Sequence, residues 1–330
     1  MTSRRTRCSG VWLLLAALAL VAAACGGDDT QNGDLSIVVT TTPLGDVVRN
    51  VVGDDATVDV LFPIGADSHS YQPSSQQVAM LTTADLVVAN GLGLEEGLGD
   101  VLESAAADGA NVFAVGPEVN PLPFGVHGDV ETNAGCRPAV HHDEEGGDEH
   151  ELEPGTCDPH VWMDPIRMGD AAREIASQLA VIDPSVDWAS RAEAYATELA
   201  GADGEIADLL AAVPAERRKL VTNHDAFGYF AARYGFEIVG VVIPGGSTLA
   251  DPSSAELAEL VDTIIAEEVP AVFAETSEPT NLAEAVAAEV GGDVQVVELY
   301  TESLGGPGSG AETLIDMLTT NAQRIAAALS

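Results

Sequence analysis

The sequence predicts an α/β protein with two lobes, each built on a four-stranded, mainly parallel sheet flanked by helices, and joined by one long rigid linker helix. Three observations predict this class. Residues 36–124 alternate strand-like apolar runs with helical patterns, the C-terminal part repeats that alternation, and a long helical pattern lies between them. Such alternation is typical of parallel sheets with helices on both faces. The 330 residues suffice for two domains of about 150 residues each.

The N-terminal lobe is predicted to span 36–183. Its strands are β-branched or apolar runs, and its first two helices begin at Pro43 and after the N-cap Ser74, residue types that favour helix starts. The strands are 36–41, 58–62, 86–89 and 111–115, and the helices are 43–51, 75–83, 95–107 and 166–179. The stretch 117–158 is rich in Pro, Gly, His and acidic residues and predicts a long loop of the kind that is functional or disordered.

The linker is predicted as residues 184–213. Asp183-Pro184 ends the preceding helix, and the pattern from 185 to 212 is helical, which would give a rod of roughly 40 Å. Gly201 and Gly204 weaken that helix.

The C-terminal lobe is predicted to span 214–330, and it shows no residue-level repeat of the first. Its strands are 219–222, 237–243, 271–274 and 294–299, and its helices are 226–234, 254–267, 281–289 and 311–328.

The composition and net charge of the chain exclude some classes of function. Hydrophobic residues make up 46% of the chain, and 13 Lys+Arg stand against 53 Asp+Glu, a formal net charge of −40. The electrostatic field of so negatively charged a protein repels nucleic acid and attracts cations. Nucleic-acid binding is therefore excluded as a main function.

The first 24 residues predict a lipoprotein signal peptide. Arginines precede an apolar run that ends in small residues before Cys25, and the run is too short to span a membrane. Val21 to Cys25 resembles a bacterial lipobox, in which the cysteine is acylated and becomes the new N-terminus. Residues 25–35 then form a polar tether. We therefore expect a lipid-anchored protein on the extracytoplasmic face of the cell membrane. The alternative is an ordinary cleaved signal with a chance cysteine.

Besides Cys25, the mature chain contains two cysteines, Cys136 and Cys157. Outside the cytoplasm such a pair predicts a disulfide rather than a metal-binding pair. Closing this loop would contribute about 3 kcal/mol in the chain-entropy model.

Four polar side chains lie beyond the carboxyl ends of predicted strands, two in each lobe. They are His69, His160, His224 and Glu302. Open α/β sheets bind ligands in that crevice. Three imidazoles and one carboxylate suit a tetrahedral Zn²⁺ site. The sequence therefore predicts that these four residues bind one divalent metal.

The mature chain also resembles the zinc- and manganese-binding solute-binding lipoproteins of ABC transporters, the ZnuA/TroA-like family. The resemblance is carried by His69 with Tyr-Gln-Pro at 71–73, by Asp-Pro-His-Val-Trp-Met-Asp-Pro at 158–165 and by His-Asp-Ala-Phe-Gly-Tyr-Phe at 224–230. The family's four metal ligands fall on the same four positions. The resemblance implies a two-lobed fold with a rigid helix, capture of a divalent metal, and delivery to a permease and its ATPase.

Two positions depart from the family pattern. Ser68 replaces the proline that usually precedes the first histidine, and Glu302 replaces an aspartate, so the carboxylate reaches one methylene further. The third ligand is His224 rather than a carboxylate, which favours Zn²⁺ over the alternative Mn²⁺ because imidazole suits zinc and oxygen ligands suit manganese.

The loop 126–157 carries further histidines among acidic residues: His127, His141, His142 and His150. It resembles an insertion found in zinc-specific members of the family. One interpretation is an accessory metal-collecting arm. The other is a solvated surface loop without a role in binding.

Two alternative functions stay open at this point. A zinc hydrolase needs three protein ligands and an open position, whereas four ligands from four loops favour a closed capture site, so we expect no enzymatic activity. A surface adhesin or metal-sensing lipoprotein could use the same scaffold.

Overall fold

The computed structural model describes residues 35–125, 136 and 156–330. Two four-stranded sheets form, and every strand pair in them is parallel. The predicted fold class is therefore confirmed. None of the helices in the described ranges is long and apolar enough to cross a membrane.

The first sheet has the strand order β2-β1-β3-β4. Thr41 caps the first helix by accepting from the N–H of Leu44, with Pro43 in the first turn. The elements in chain order are β1 Leu35–Val39, α1 Thr42–Val52, β2 Ala56–Val60, α2 Ser75–Leu81, β3 Leu86–Ala89, α3 Gly99–Ala107 and β4 Val112–Ala114. The sheet begins at Leu35, the residue with which the predicted tether ends.

Two long helices follow, α4 Pro165–Ile182 and α5 Trp188–Leu210. Asp164 caps α4 by accepting from the N–H groups of Ile166 and Arg167. Helix α5 begins where Asp187 accepts from the N–H of Ser190, and its 23 residues span roughly 35 Å. The long helix predicted over 185–212 is thus present but shorter at both ends.

The second sheet has the order β6-β5-β7-β8, which repeats the connectivity of the first. We call the described residues of 35–182, with the first sheet, the first half, and residues 211–330, with the second sheet, the second half. The two halves share a topology although their residues show no repeat. The elements are β5 Lys219–Thr222, α6 Gly228–Tyr234, β6 Glu237–Val241, α7 Ser254–Ala266, β7 Ala271–Glu275, α8 Asn281–Val290, β8 Gln295–Leu299 and α9 Leu314–Leu329.

One apolar core connects the two halves. In β1, Ile37 and Val39 face this central core, whereas Val38 faces a smaller cluster on the other side of the sheet. In the second sheet Phe273 faces the same central core, and Val272 and Ala274 face a third cluster. Because side chains alternate along a strand, each sheet contributes one face to the shared core. Helix α5 packs against α1 from the first half and α9 from the second.

Four helices begin two to four residues later than predicted: α5 and α6 begin at Trp188 and Gly228 rather than at 185 and 226, and α3 and α9 are also displaced. Helix α3 begins at Gly99 rather than at 95, because Glu95 turns back into the loop. Its carboxylate accepts from the backbone N–H groups of Asn90 and Gly91 and from the Thr40 hydroxyl. Helix α9 begins at Leu314 rather than at 311, since Thr313 is its N-cap and accepts from the N–H of Asp316.

Cys136 and Cys157 form a disulfide with an S–S distance of 2.04 Å. Cys157 is buried and pairs with Pro123 in a short antiparallel bridge. The antiparallel pairing of Cys157 with Pro123 holds the residues that come next, including Asp158 and His160, against the rest of the first half of the chain. The loop histidines His127, His141, His142 and His150, and the predicted lipidation site Cys25, lie outside the described residues.

Candidate metal centre

The structure brings together the four side chains that the sequence predicts as ligands. His69, His160, His224 and Glu302 are all buried, and one potential ligand atom from each lies within 4.8 Å of the others. His224 and Glu302 follow closely on β5 and β8, as predicted. His160 does not follow β4 directly; it stands before a 3-10 turn, Val161–Met163, that leads into α4.

The distances between the potential ligand atoms resemble those around a tetrahedrally coordinated metal ion. The Nε2 atom of His160 lies 3.4 Å from Nε2 of His69 and 3.1 Å from Nε2 of His224. Oε1 of Glu302 lies 3.6 Å from Nε2 of His160 and 3.5 Å from Nε2 of His224. Ligand atoms about 2.1 Å from a zinc ion at tetrahedral angles lie roughly 3.4 Å apart. These four of the six pairwise distances match that spacing, and all six lie within 4.8 Å, so the four side chains could hold one ion.

A carboxylate contacts the other ring nitrogen of each histidine. Nδ1 of His69 lies 3.1 Å from Glu96. Nδ1 of His160 lies 2.7 Å from Asp158, and Nδ1 of His224 lies 2.5 Å from Glu275. A carboxylate only accepts hydrogen bonds, so Nδ1 donates and the Nε2 lone pair is directed to the centre.

Sequence reasoning did not assign these three carboxylates a role. Asp158 is part of the Asp-Pro-His motif, so a signal for it existed. Glu275 is the last residue of β7, and a buried acid at a strand end is a second signal that could have been used. Glu96 fell inside a predicted helix, and only the loop conformation at 95–98 shows its role.

Backbone hydrogen bonds fix the ligand segments as well. The N–H groups of His69, His160 and His224 donate to Asp67, Asp158 and Glu275 respectively.

The segment around Glu302 is held from both halves of the chain. The Trp162 indole N–H donates to the carbonyl of Thr301, and the N–H of Gly65 donates to the Ser303 hydroxyl. The Thr301 hydroxyl donates to Glu275, which links this segment to His224. The Ser68 hydroxyl donates to the Glu302 carbonyl at 3.4 Å, a bond that a proline at this position could not form.

The electrostatics of the centre favour a cation. Both carboxylate oxygens of Glu302 are buried without a hydrogen-bond partner among the described residues. Burial opposes ionisation of Glu302, but interaction with His224 and the charge of the neighbouring imidazoles lower its pKa to about 2. Burial likewise opposes charge on His224, yet Glu275 and Glu302 raise the pKa of that imidazole well above its usual value. A proton or a metal ion at this point is therefore stabilised.

Comparisons with known proteins agree with this geometry. Residues 37–328 match the family described as "Zinc-uptake complex component A periplasmic". The chain belongs to this family. It is 31% identical over 319 residues to the manganese-binding lipoprotein MntA of Halalkalibacterium halodurans, covering 95% of this chain and 96% of that protein. It is 30% identical to the zinc-binding protein TroA of Treponema pallidum, covering 92% and 91%.

The fold is also that of solved structures in the family. The structure of periplasmic TroA from Treponema pallidum matches with a TM-score of 0.76 and 31% identity, covering 90% of this chain and all of that one. The family and these neighbours are solute-binding proteins rather than enzymes, so the hydrolase alternative is set aside.

Proposed function

We propose that this protein captures one divalent metal ion, Zn²⁺ in preference to Mn²⁺, outside the cytoplasm and delivers it to an ABC permease with its ATPase. The observation that supports capture is the buried set of His69, His160, His224 and Glu302, with ligand atoms within 4.8 Å of one another. A closed four-ligand set suits binding of an ion rather than catalysis on it.

The preference for zinc rests on the type of ligand. Three of the four candidate ligands are imidazoles, and imidazole suits zinc, whereas manganese favours oxygen ligands. Relatives named for manganese and for zinc are similarly close in identity, so the choice of metal depends on the residues of this chain.

Membership of the family supports delivery to a permease, because the family is described as an uptake-complex component. An anchor at Cys25 would hold the protein beside its permease. The sequence around that cysteine supports this part of the proposal, and homologues named as lipoproteins agree with it.

The test is calorimetry on metal-stripped protein with Zn²⁺ and Mn²⁺ in separate titrations. We expect one tight site per chain and tighter binding of zinc. His69→Ala should abolish the tight site, because it removes one of four ligands. An exposed acid on α8, Glu289, provides the control variant Glu289→Gln, which should bind as the wild type does. Tighter manganese binding would contradict the choice of zinc, and an intact tight site in His69→Ala would contradict the site.

A further inference from the structure

An open cleft of about 320 Å³ adjoins the candidate metal centre. Its lining consists of His69, Ser70, Gln72, Glu96, Gly97 and Leu249. His69 is the one candidate ligand in this lining, and all four candidate ligands are buried. An ion therefore has to pass protein atoms to reach them, and the cleft ends against one of these ligands.

The wall of the cleft that the first half forms contains side-chain oxygen atoms. The Ser70 hydroxyl, the Gln72 amide and the Glu96 carboxylate can each accept hydrogen bonds from the water shell of a divalent cation. The Glu96 side chain is 21% exposed while it contacts Nδ1 of His69. It thus connects the cleft with the centre.

That wall is also tightly packed. The N–H of Gly97 donates to the carbonyl of His69 at 3.2 Å. A Cβ atom on Gly97 would lie 2.4 Å from the carbonyl oxygen of Tyr71, so the two segments are as close as glycine permits. The wall from the first half is therefore closely packed at Gly97.

The opposite wall comes from the second half of the chain. Leu249 is 50% exposed and lies in the segment 244–253, which joins β6 to α7 without a helix or strand of its own. Its neighbour Thr248 donates from its hydroxyl to Oδ2 of Asp67 at 2.8 Å. Oδ1 of the same Asp67 accepts from the N–H of His69 at 3.0 Å. Among the described residues, this hydrogen bond ties the tip of the segment to the first half. Nearer its start the segment is packed against the first half, because a Cβ atom on Gly246 would lie 2.0 Å from the Phe124 ring. The part of the segment that can move is therefore its tip, at Thr248 and Leu249.

The geometry points to this cleft as the passage by which a hydrated divalent cation reaches and leaves the buried centre, with Leu249 as its movable wall and the Thr248–Asp67 hydrogen bond as the latch. The inference rests on the proposed function, because it needs an ion that is captured.

A hydrogen bond that closes the passage controls the rates at which the ion enters and leaves, rather than the equilibrium affinity of the site for the ion. Neither Thr248 nor Leu249 is one of the four candidate ligands, so changing them alters the barrier and not the final contacts of the ion. Association and dissociation should then change by the same factor, and their ratio should stay constant.

The experiment measures both rate constants for Zn²⁺ by stopped flow, with a fluorescent chelator reporting uptake and release by metal-stripped full-length protein. Thr248→Val should speed association and dissociation alike by about fivefold, the effect of one lost hydrogen bond. Leu249→Trp should slow both, since a larger side chain narrows the passage. Kd should stay at the wild-type value in each variant.

Two matched control variants show whether the same kinds of substitution change the rates when they are made away from the cleft. Thr263→Val removes a hydroxyl that donates only within its own helix, to the carbonyl of Glu259. Ile265→Trp enlarges another exposed apolar side chain. Both controls should keep wild-type rates.

Three results would overturn the passage: unchanged rates in both Thr248→Val and Leu249→Trp, a change in Kd carried by dissociation alone, or equal effects in the controls. If Thr248→Val fails to fold, the surface substitution Leu249→Trp decides the matter by itself. Wild-type protein that binds no zinc would instead contradict the proposed function.

Discussion

Single carboxylates decide which nitrogen of each histidine faces the candidate metal centre. Glu96, Asp158 and Glu275 accept from Nδ1 and so orient Nε2 toward the candidate metal centre. Glu275 also accepts from the backbone N–H of His224 and from the hydroxyl of Thr301. It therefore couples two candidate ligands of the second half.

The first prediction concerns this coupling. Glu275→Gln keeps the shape of the side chain but removes its charge and leaves the orientation of His224 less well determined. Loss of such an outer partner lowers metal affinity by about 10–100-fold, and we expect zinc affinity in calorimetry to fall in that range. Glu289→Gln, on the exposed face of α8, is the matched control. Wild-type affinity in Glu275→Gln would show that His224 is oriented by packing alone.

The second prediction concerns pH. Under the proposed function, zinc would bind the neutral imidazole of His224. Because the pKa of this group is raised, protons should compete with zinc well above about pH 6.5, the usual midpoint for histidine. Without metal, a raised folded-state pKa stabilises the protein below about pH 6.5, and this stability is lost as pH rises through the folded pKa. Glu302, with a pKa of about 2, stays ionised throughout.

The rise in Tm caused by a fixed free concentration of zinc should therefore increase with pH. Thermal unfolding at constant buffered zinc, from about pH 6 to 8.5 around the histidine midpoint, measures it. A rise in Tm that is constant across this range would contradict the role of His224.

The sequence predicts the candidate ligands better than their partners. His224 and Glu302 follow short β-branched runs, so their place at the carboxyl ends of strands can be recognised from the chain alone. Glu275 lies 51 residues from His224, and Glu96 lies 27 residues from His69. Such pairs depend on how separate strands and loops pack, and no local pattern in one sequence encodes that.

At the scale of elements, predicted strands agree closely with the structure, whereas helix starts agree less well. Strands β3 and β5 have the predicted bounds, because a short apolar run between turns has few alternative registers. The start of α3 was misplaced, since the contacts of Glu95 with Thr40, Asn90 and Gly91 outweigh the helical pattern. Tertiary hydrogen bonds overrode local propensity there.

The third prediction concerns the loop 126–157. Deleting residues 138–154 keeps both cysteines and removes His141, His142 and His150. All four candidate ligands of the main site lie outside the deletion, so we expect the tight zinc site to keep its affinity while weaker additional zinc equivalents disappear. Calorimetry with excess zinc measures both. Loss of the tight site would show that the loop positions His160.

At the scale of the whole molecule, the centre and the core both join the two halves. His69 and His160 come from the first half, and His224 and Glu302 from the second. The central apolar cluster runs from Ile37 to Leu329 and includes buried residues of both sheets. A single ion held by these four residues would connect two sheets that already share one core.

The last prediction follows from this arrangement. Because the halves share a core, the metal-free protein should unfold in one cooperative transition, with equal calorimetric and van't Hoff enthalpies. Because the ligands are divided between the halves, zinc should move the entire transition upward, by about 2.7 kcal/mol when free zinc is 100-fold above Kd. His160→Ala and His224→Ala, one from each half, should reduce that shift to a similar degree. Differential scanning calorimetry with and without zinc measures all three quantities. Two transitions of which zinc moves only one would show that the halves fold independently and that the ion is held by one of them.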